Sequence, residues 1–136
     1  MIRLARLTGK TDYEDKASAL AKAISSRLEG IQNTMFLTAL DFFFGPSYEI
    51  VIVGNSQSQE AEDIIQALNA SFIPNKVVLF KKETDPNLES LADFVKNMRT
   101  IDGKTTAYIC RAFACEKPIT EATEVLRFLM KSSTNQ

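Results

Sequence analysis

The stretch Tyr48-Glu49-Ile50-Val51-Ile52-Val53-Gly54-Asn55-Ser56 decides the fold. Six residues, nearly all apolar and several β-branched, run into a Gly-Asn-Ser stop. An unbroken apolar run of this length reads as a strand covered on both faces. A polar loop follows, and Ala61, Ile64, Ile65, Leu68 and Phe72 then recur at helical spacing. The same alternation comes twice more. Lys76-Val77-Val78-Leu79-Phe80 reads as a second strand, followed by a helix opening at Asp85-Pro86 and carrying Leu88, Leu91, Ala92, Val95 and Met98. Thr105-Thr106-Ala107-Tyr108-Ile109-Cys110 reads as a third strand. A last helix, capped by Thr120, points Val125, Leu126, Leu129 and Met130 inward, with a polar tail from Ser132 to Gln136.

Strands alternating with helices imply parallel pairing through right-handed crossovers. The expected fold is therefore α/β, a three-layer sandwich around a small three-stranded parallel sheet (βαβαβα). The strand order is open between 2-1-3 and 3-2-1.

Upstream of Tyr48 the pattern is helical. Asp12 is placed to cap a helix whose apolar face is Tyr13, Ala17, Leu20, Ile24 and Leu28, with Gly30 as its stop. Asn33 or Thr34 caps a second helix through Met35, Phe36, Ala39, Leu40 and Phe43, ending at Gly45-Pro46. The short connection makes this a helical hairpin preceding the sheet. Residues 1–46 and 47–136 are thus expected to be separate units. Phe42-Phe43-Phe44 closes the hairpin, and three adjacent rings cannot all face one sheet.

Composition excludes several activities. The 136 residues are 45% hydrophobic and 24% charged, ordinary for one globular domain. Sixteen basic against seventeen acidic residues leave a net charge of −1, with no basic cluster larger than a pair such as Lys81-Lys82. Nucleic-acid binding needs a positive stripe to displace counterions, so none is expected. No apolar run approaches the roughly 20 residues that span a bilayer, and no signal-peptide core follows Met1. No membrane association is expected, and the expected compartment is the cytoplasm. The chain has no histidine, which removes Ser-His-Asp and Cys-His catalysis and imidazole zinc sites.

Two segments remain as candidate sites. Gly54, Asn55, Ser56 and Ser58 form a loop between strand and helix, where an open α/β sheet places an anion or a nucleophile. The loop lacks the glycines of a dinucleotide fingerprint and the Gly-Lys-Ser/Thr of a P-loop. Ser56 stands at a nucleophile-elbow position without a histidine to deprotonate it. A plain capped loop is the simpler reading. The second segment is Cys110, Arg111, Phe113 and Cys115. Its spacing is not Cys-x-x-Cys. An extended chain would hold the two sulfur-bearing residues ~16 Å apart at 3.3 Å per residue, so a disulfide requires the loop to fold back. Buried structural thiols, a redox pair and a metal site are the alternatives; two thiols fall short of the four ligands of structural zinc. Neither metal nor cofactor is expected.

Residues 39–55 (ALDFFFGPSYEIVIVGN), 72–81 (FIPNKVVLFK) and 102–120 (DGKTTAYICRAFACEKPIT) together resemble the C-terminal region of a thioredoxin-domain-containing protein family that includes spermatogenesis-associated protein 20. Full-length members have a thioredoxin-like domain, then an α/α-toroid, then a segment like this one. The resemblance implies that residues 1–46 correspond to the end of the toroid. It also implies that the partners are the toroid and thioredoxin-like domains of a parent protein. Cys110, Phe113, Cys115 and Pro118 match the family's motif, whereas Ala112 stands where the family usually has a polar residue. Three functions follow, in order of preference: a non-catalytic accessory domain, with possible pairing of two copies through the N-terminal helices; a small-ligand or nucleotide-binding module at Gly54–Ser58; and thiol chemistry at Cys110–Cys115.

Overall fold

A computed structural model describes residues 1–25 and 34–134. Leu28, Gly30 and Asn33, read above as the end of one helix and the cap of the next, lie outside the described residues, as do 135–136. The elements are α1 (Ile2–Thr8), α2 (Thr11–Ser25), α3 (Thr34–Phe44), β1 (Tyr48–Val53), α4 (Gln59–Ala70), β2 (Lys76–Lys81), α5 (Pro86–Leu91), β3 (Thr106–Arg111), β4 (Ala114–Cys115) and α6 (Ala122–Thr134). A single 3-10 turn, Asp93–Val95, follows α5.

The sheet has four strands in the order β2-β1-β3-β4. Only β1 and β2 are parallel. Strand β3 runs antiparallel to β1, with Val53 opposite Thr106 and Glu49 opposite Cys110, and β4 runs antiparallel to β3. The sheet is therefore mixed, and the three-stranded parallel βαβαβα arrangement is corrected. The reason lies in the second connection. Six helical residues span about 9 Å, whereas a six-residue strand spans about 20 Å. Helix α5 is thus too short to carry the chain back along the strands. The chain breaks at Ala92 (φ −134°, ψ 91°) and turns at Asp102-Gly103, both at positive φ (51° and 71°). Ile101 bridges Lys104 across that turn, and the chain re-enters the sheet from the end it left. Asp-Gly is among the strongest hairpin signals a sequence carries, and here it sits between two runs read as helix and strand.

Alternation along β1 divides two cores. Ile50 and Ile52, with Tyr48, face α4 and α6, packing with Ile64, Leu68, Ile109, Val125 and Leu129. Val51 and Val53 face the other way, onto Ala92, Val95, Met98 and Cys110. All of β1 is buried, as the unbroken apolar run implies. The inward stripes hold only in part: Phe72 lies beyond the last turn of α4, and Leu91 on α5 and Met130 on α6 are exposed. Helix α6 continues to Thr134, past the start of the expected polar tail.

Helix α1 was not anticipated from the sequence. Its Ile2 and Ala5 form a third cluster with Phe42 and Val77 of β2. Arg3 stacks over the Phe42 ring at 4.4 Å and donates to the Lys76 carbonyl at 3.1 Å. The three phenylalanines separate as their adjacency requires: Phe42 is buried, Phe43 partly so and Phe44 exposed.

One member of the Lys81-Lys82 pair is wholly buried. The Lys81 ammonium lies 2.9 Å from Glu89 Oε1 and donates to the carbonyls of Met98 (3.2 Å) and Glu83 (3.3 Å). Lys81 beside it holds the Glu89 carboxyl below its usual value of 4.5. A carboxylate depressed in the folded state contributes stability present above its ordinary pKa and lost as pH falls through the depressed value. We therefore expect the melting temperature of Glu89→Gln to fall below wild type near neutrality and the gap to narrow below pH 4.5. A gap independent of pH would contradict this.

Candidate functional site

The two cysteines meet because the chain reverses within two residues. Ala112 and Phe113 are both left-handed (φ 47° and 62°), the backbone of a type I′ two-residue hairpin loop. Glycine and asparagine favour that loop, and non-glycine residues there cost about 1–3 kcal/mol each. Reversal puts Cys110 directly opposite Cys115, with Cα atoms 3.9 Å apart and a disulfide between them. The two sulfurs are therefore bonded to each other and are not free thiols. The sulfurs differ in setting. Cys110 is completely buried in the core under the 3-10 turn, whereas Cys115 is exposed on the sheet edge.

Beside the disulfide lies a group that the site reading missed. Glu49 occupies the second position of β1, directly opposite Cys110 and on the same face. Only 1% of it is exposed. Its Oε2 accepts a hydrogen bond from the backbone N–H of Phe113 at 3.1 Å, which pins the strained turn. Its Oε1 lies 3.7 Å from the Arg6 guanidinium of α1 and has no hydrogen-bond partner among the described residues. Burial pushes the Glu49 carboxyl above its usual range, opposed by the Phe113 amide and the Arg6 charge. The available signal was a lone carboxylate inside an otherwise apolar strand, since such residues are rarely buried without a specific partner.

The turn is held from the other side as well. The Phe113 ring packs edge-on against Phe94 at 5.2 Å, and Arg6 lies 5.9 Å from its centroid. Arg6 also reaches Glu14 of α2 at 3.7 Å. Arg111 does not join this group. Strand alternation sends it to the opposite face, where it bonds the Tyr48 hydroxyl and stacks at 4.8 Å over that ring.

Gly54, Asn55, Ser56 and Ser58 lie at the far end of β1. They line an open depression of about 450 Å³ with Glu60, Lys82, Glu83 and Thr105. The polar atoms of the loop are largely used within it. The Ser58 hydroxyl caps α4 by accepting from the Ala61 N–H (3.2 Å) and donates to the Asn55 carbonyl (2.9 Å). Asn55 Oδ1 accepts from the Gln57 N–H at 3.1 Å. Glu60 accepts from the Thr105 N–H and Glu83 from the Thr100 N–H. Two carboxylates against one lysine make the rim poorly suited to a phosphate. Among the described residues, no group of three or more acidic, cysteine or histidine side chains is arranged to hold a metal.

Fold and site together define a small α/β domain with a mixed sheet and a disulfide-closed edge hairpin backed by a buried carboxyl. The chain is homologous to one segment of spermatogenesis-associated protein 20. It is 30% identical to the human protein and 31% identical to the rat protein, each over 133 residues covering 95% of this chain. The mouse protein is 28% identical over the same length. The chain spans only 17% of the length of these curated relatives, in keeping with the C-terminal region of a larger protein. No family model matches. No solved structure matches either. No helix of the described residues is long and apolar enough to cross a membrane.

Proposed function

We propose that this chain works as a non-catalytic accessory domain of a larger protein, docking through its N-terminal helices onto the helical part that precedes it in the parent. One observation carries the reading. Helices α1, α2 and α3 leave between them an apolar groove of about 170 Å³, walled by Ile2, Leu20, Ile24, Phe36, Leu40 and Phe43. Helix α2 has no buried residue, although Ala17, Leu20 and Ile24 form one apolar face. An amphipathic helix whose apolar face the described residues leave partly open marks an interaction surface. Exposed Met35 and Phe44 extend the apolar surface on α3. Relatives about six times longer supply ample chain to cover it. In this reading residues 1–46 are the end of a toroid, residues 47–136 are the terminal α/β domain, and a thioredoxin-like domain lies elsewhere in the parent.

The test is binding between this chain and the separately expressed remainder of the parent. Leu20→Asp with Ile24→Asp, both at partly exposed positions, is expected to weaken binding at least tenfold, or about 1.4 kcal/mol, while leaving the circular dichroism unchanged. Equal binding by wild type and variant would overturn the reading. So would concentration-dependent dimers that the same pair dissolves, which would assign the face to a second copy. The reading also places the parent in the cytoplasm, a compartment where protein disulfides are usually transient and either catalytic or redox-sensing.

A further inference from the structure

We propose that the Cys110–Cys115 hairpin is a thiol–disulfide exchange site for a dithiol reductant, in which Cys115 is the sulfur attacked, Cys110 the sulfur that leaves, and Glu49 the group that protonates it. The asymmetry of the two sulfurs assigns the first two roles. An incoming thiolate reaches Cys115 on the exposed sheet edge, whereas Cys110 is sealed under Val51, Val95 and Met98. Cross-strand register assigns the third. Glu49 and Cys110 are directly opposed on one face, an arrangement that brings Cβ atoms to about 4.5–5.5 Å.

One thiolate of the dithiol attacks Cys115 Sγ, forming a mixed disulfide and breaking the Cys110–Cys115 bond. The electron pair leaves on Cys110 Sγ, where burial disfavours a thiolate. Glu49 transfers its proton to that sulfur and becomes a carboxylate held by Arg6 and the Phe113 N–H. The second thiol of the reductant loses its proton to solvent and attacks its own sulfur in the mixed disulfide. Cys115 is released as a thiolate and is protonated by solvent. The dithiol is oxidised to a disulfide and the protein disulfide is reduced to two thiols.

The groups facing Glu49 are Arg6 of α1, Glu14 of α2 behind it, the apolar Val77 of β2, and Cys110 with the Phe113 amide across β3. Burial, the dominant influence on Glu49, keeps a proton on it above the ordinary carboxylate value of 4.5. A proton donor of this kind loses effect as pH rises through its pKa.

The native chain, reduced by dithiothreitol without denaturant, decides the matter. We expect reduction to go to completion, and Cys115 of the reduced protein to be alkylated at least tenfold faster than Cys110. The rate per dithiothreitol thiolate should fall with an inflection above pH 4.5. Glu49→Gln, which keeps an acceptor for the Phe113 N–H, should remove the inflection, and Glu49→Asp should restore it. With oxidised glutathione, Cys110→Ser should form a mixed disulfide at least tenfold faster than Cys115→Ser. A disulfide that resists dithiothreitol until the protein unfolds, or two sulfurs alkylated at one rate, overturns the exchange site. A Glu49→Gln profile superimposable on wild type removes Glu49 from the mechanism. If the Glu49 variants do not fold, the wild-type inflection and the alkylation ratio decide alone. The docking reading is untouched by any of these results.

Discussion

Ile52→Ala is expected to destabilise the chain by about 2–5 kcal/mol, because removing a large aliphatic side chain from a packed core loses its transfer energy and leaves a cavity. Ile52 is completely buried in the strand that hydrogen-bonds on both sides, to β2 and to β3. It packs among Ile64, Leu68, Ile109 and Leu129, which come from three different elements. Those elements are fixed by sheet register and helix packing, so they have little freedom to collapse into the space. The melting temperature should drop by roughly 10 °C. Val78→Ala provides the contrast. It removes a β-branched residue from the same sheet, but from a position 40% exposed on β2, and a surface change of this kind stays within about 0.5 kcal/mol. Equal losses for the two would mean that β1 is not the centre of the core.

Gly54→Ala is the second large effect, expected at about 1–3 kcal/mol from overpacking. A Cβ at Gly54 would stand 2.7 Å from Thr105 Oγ1 and 3.2 Å from the Thr105 Cα. The hydroxyl cannot simply swing aside, because Thr105 is buried and its Oγ1 lies 3.1 Å from the Ser58 hydroxyl that caps α4. The Cα belongs to the chain entering β3 and is held by the sheet. Glycine at the end of β1 is therefore explained by close approach of two backbone segments, with no ligand required. Chemical denaturation should show the loss for Gly54→Ala and almost none for Ser56→Ala, which is exposed in the same depression. If Gly54→Ala were neutral, the contact with Thr105 would be looser than described.

How much was legible differs from element to element. The bounds of β1 and the two buried faces of the sheet follow from one apolar run, since only a strand covered on both sides sustains it. Of the stripe Leu88, Leu91, Ala92, Val95 and Met98, all but the exposed Leu91 join the core, although the helix assigned to them ends at Leu91. Burial of those side chains is a property of their hydrophobicity; whether helix or 3-10 turn delivers them is decided by the space beneath. The direction of β3 was misread because periodicity reports which faces are covered and carries nothing about polarity. The local signal for reversal, Asp102-Gly103, was present and outweighed by the alternation of strands and helices.

The candidate sites divide in the same way. Gly54, Asn55 and Ser58 were legible as a capped loop, because capping depends on residues three apart. The Cys110–Cys115 bond was not legible, because Ala112-Phe113 carries no turn signal and only a hairpin held by distant groups keeps two such residues left-handed. Glu49 and Arg6 lie 43 residues apart in the sequence and meet only when α1 packs against β2, the neighbour of β1. By itself, then, the sequence determined three of the four strands, most of the core, the absence of histidine chemistry and the kinship to a longer protein. Each of these rests on local pattern or composition. Tertiary structure alone decided the polarity of β3, the disulfide, and the buried carboxyl behind it. These arise from contacts between segments far apart in the chain, whose cost in strain and desolvation is met only once the whole sheet is assembled.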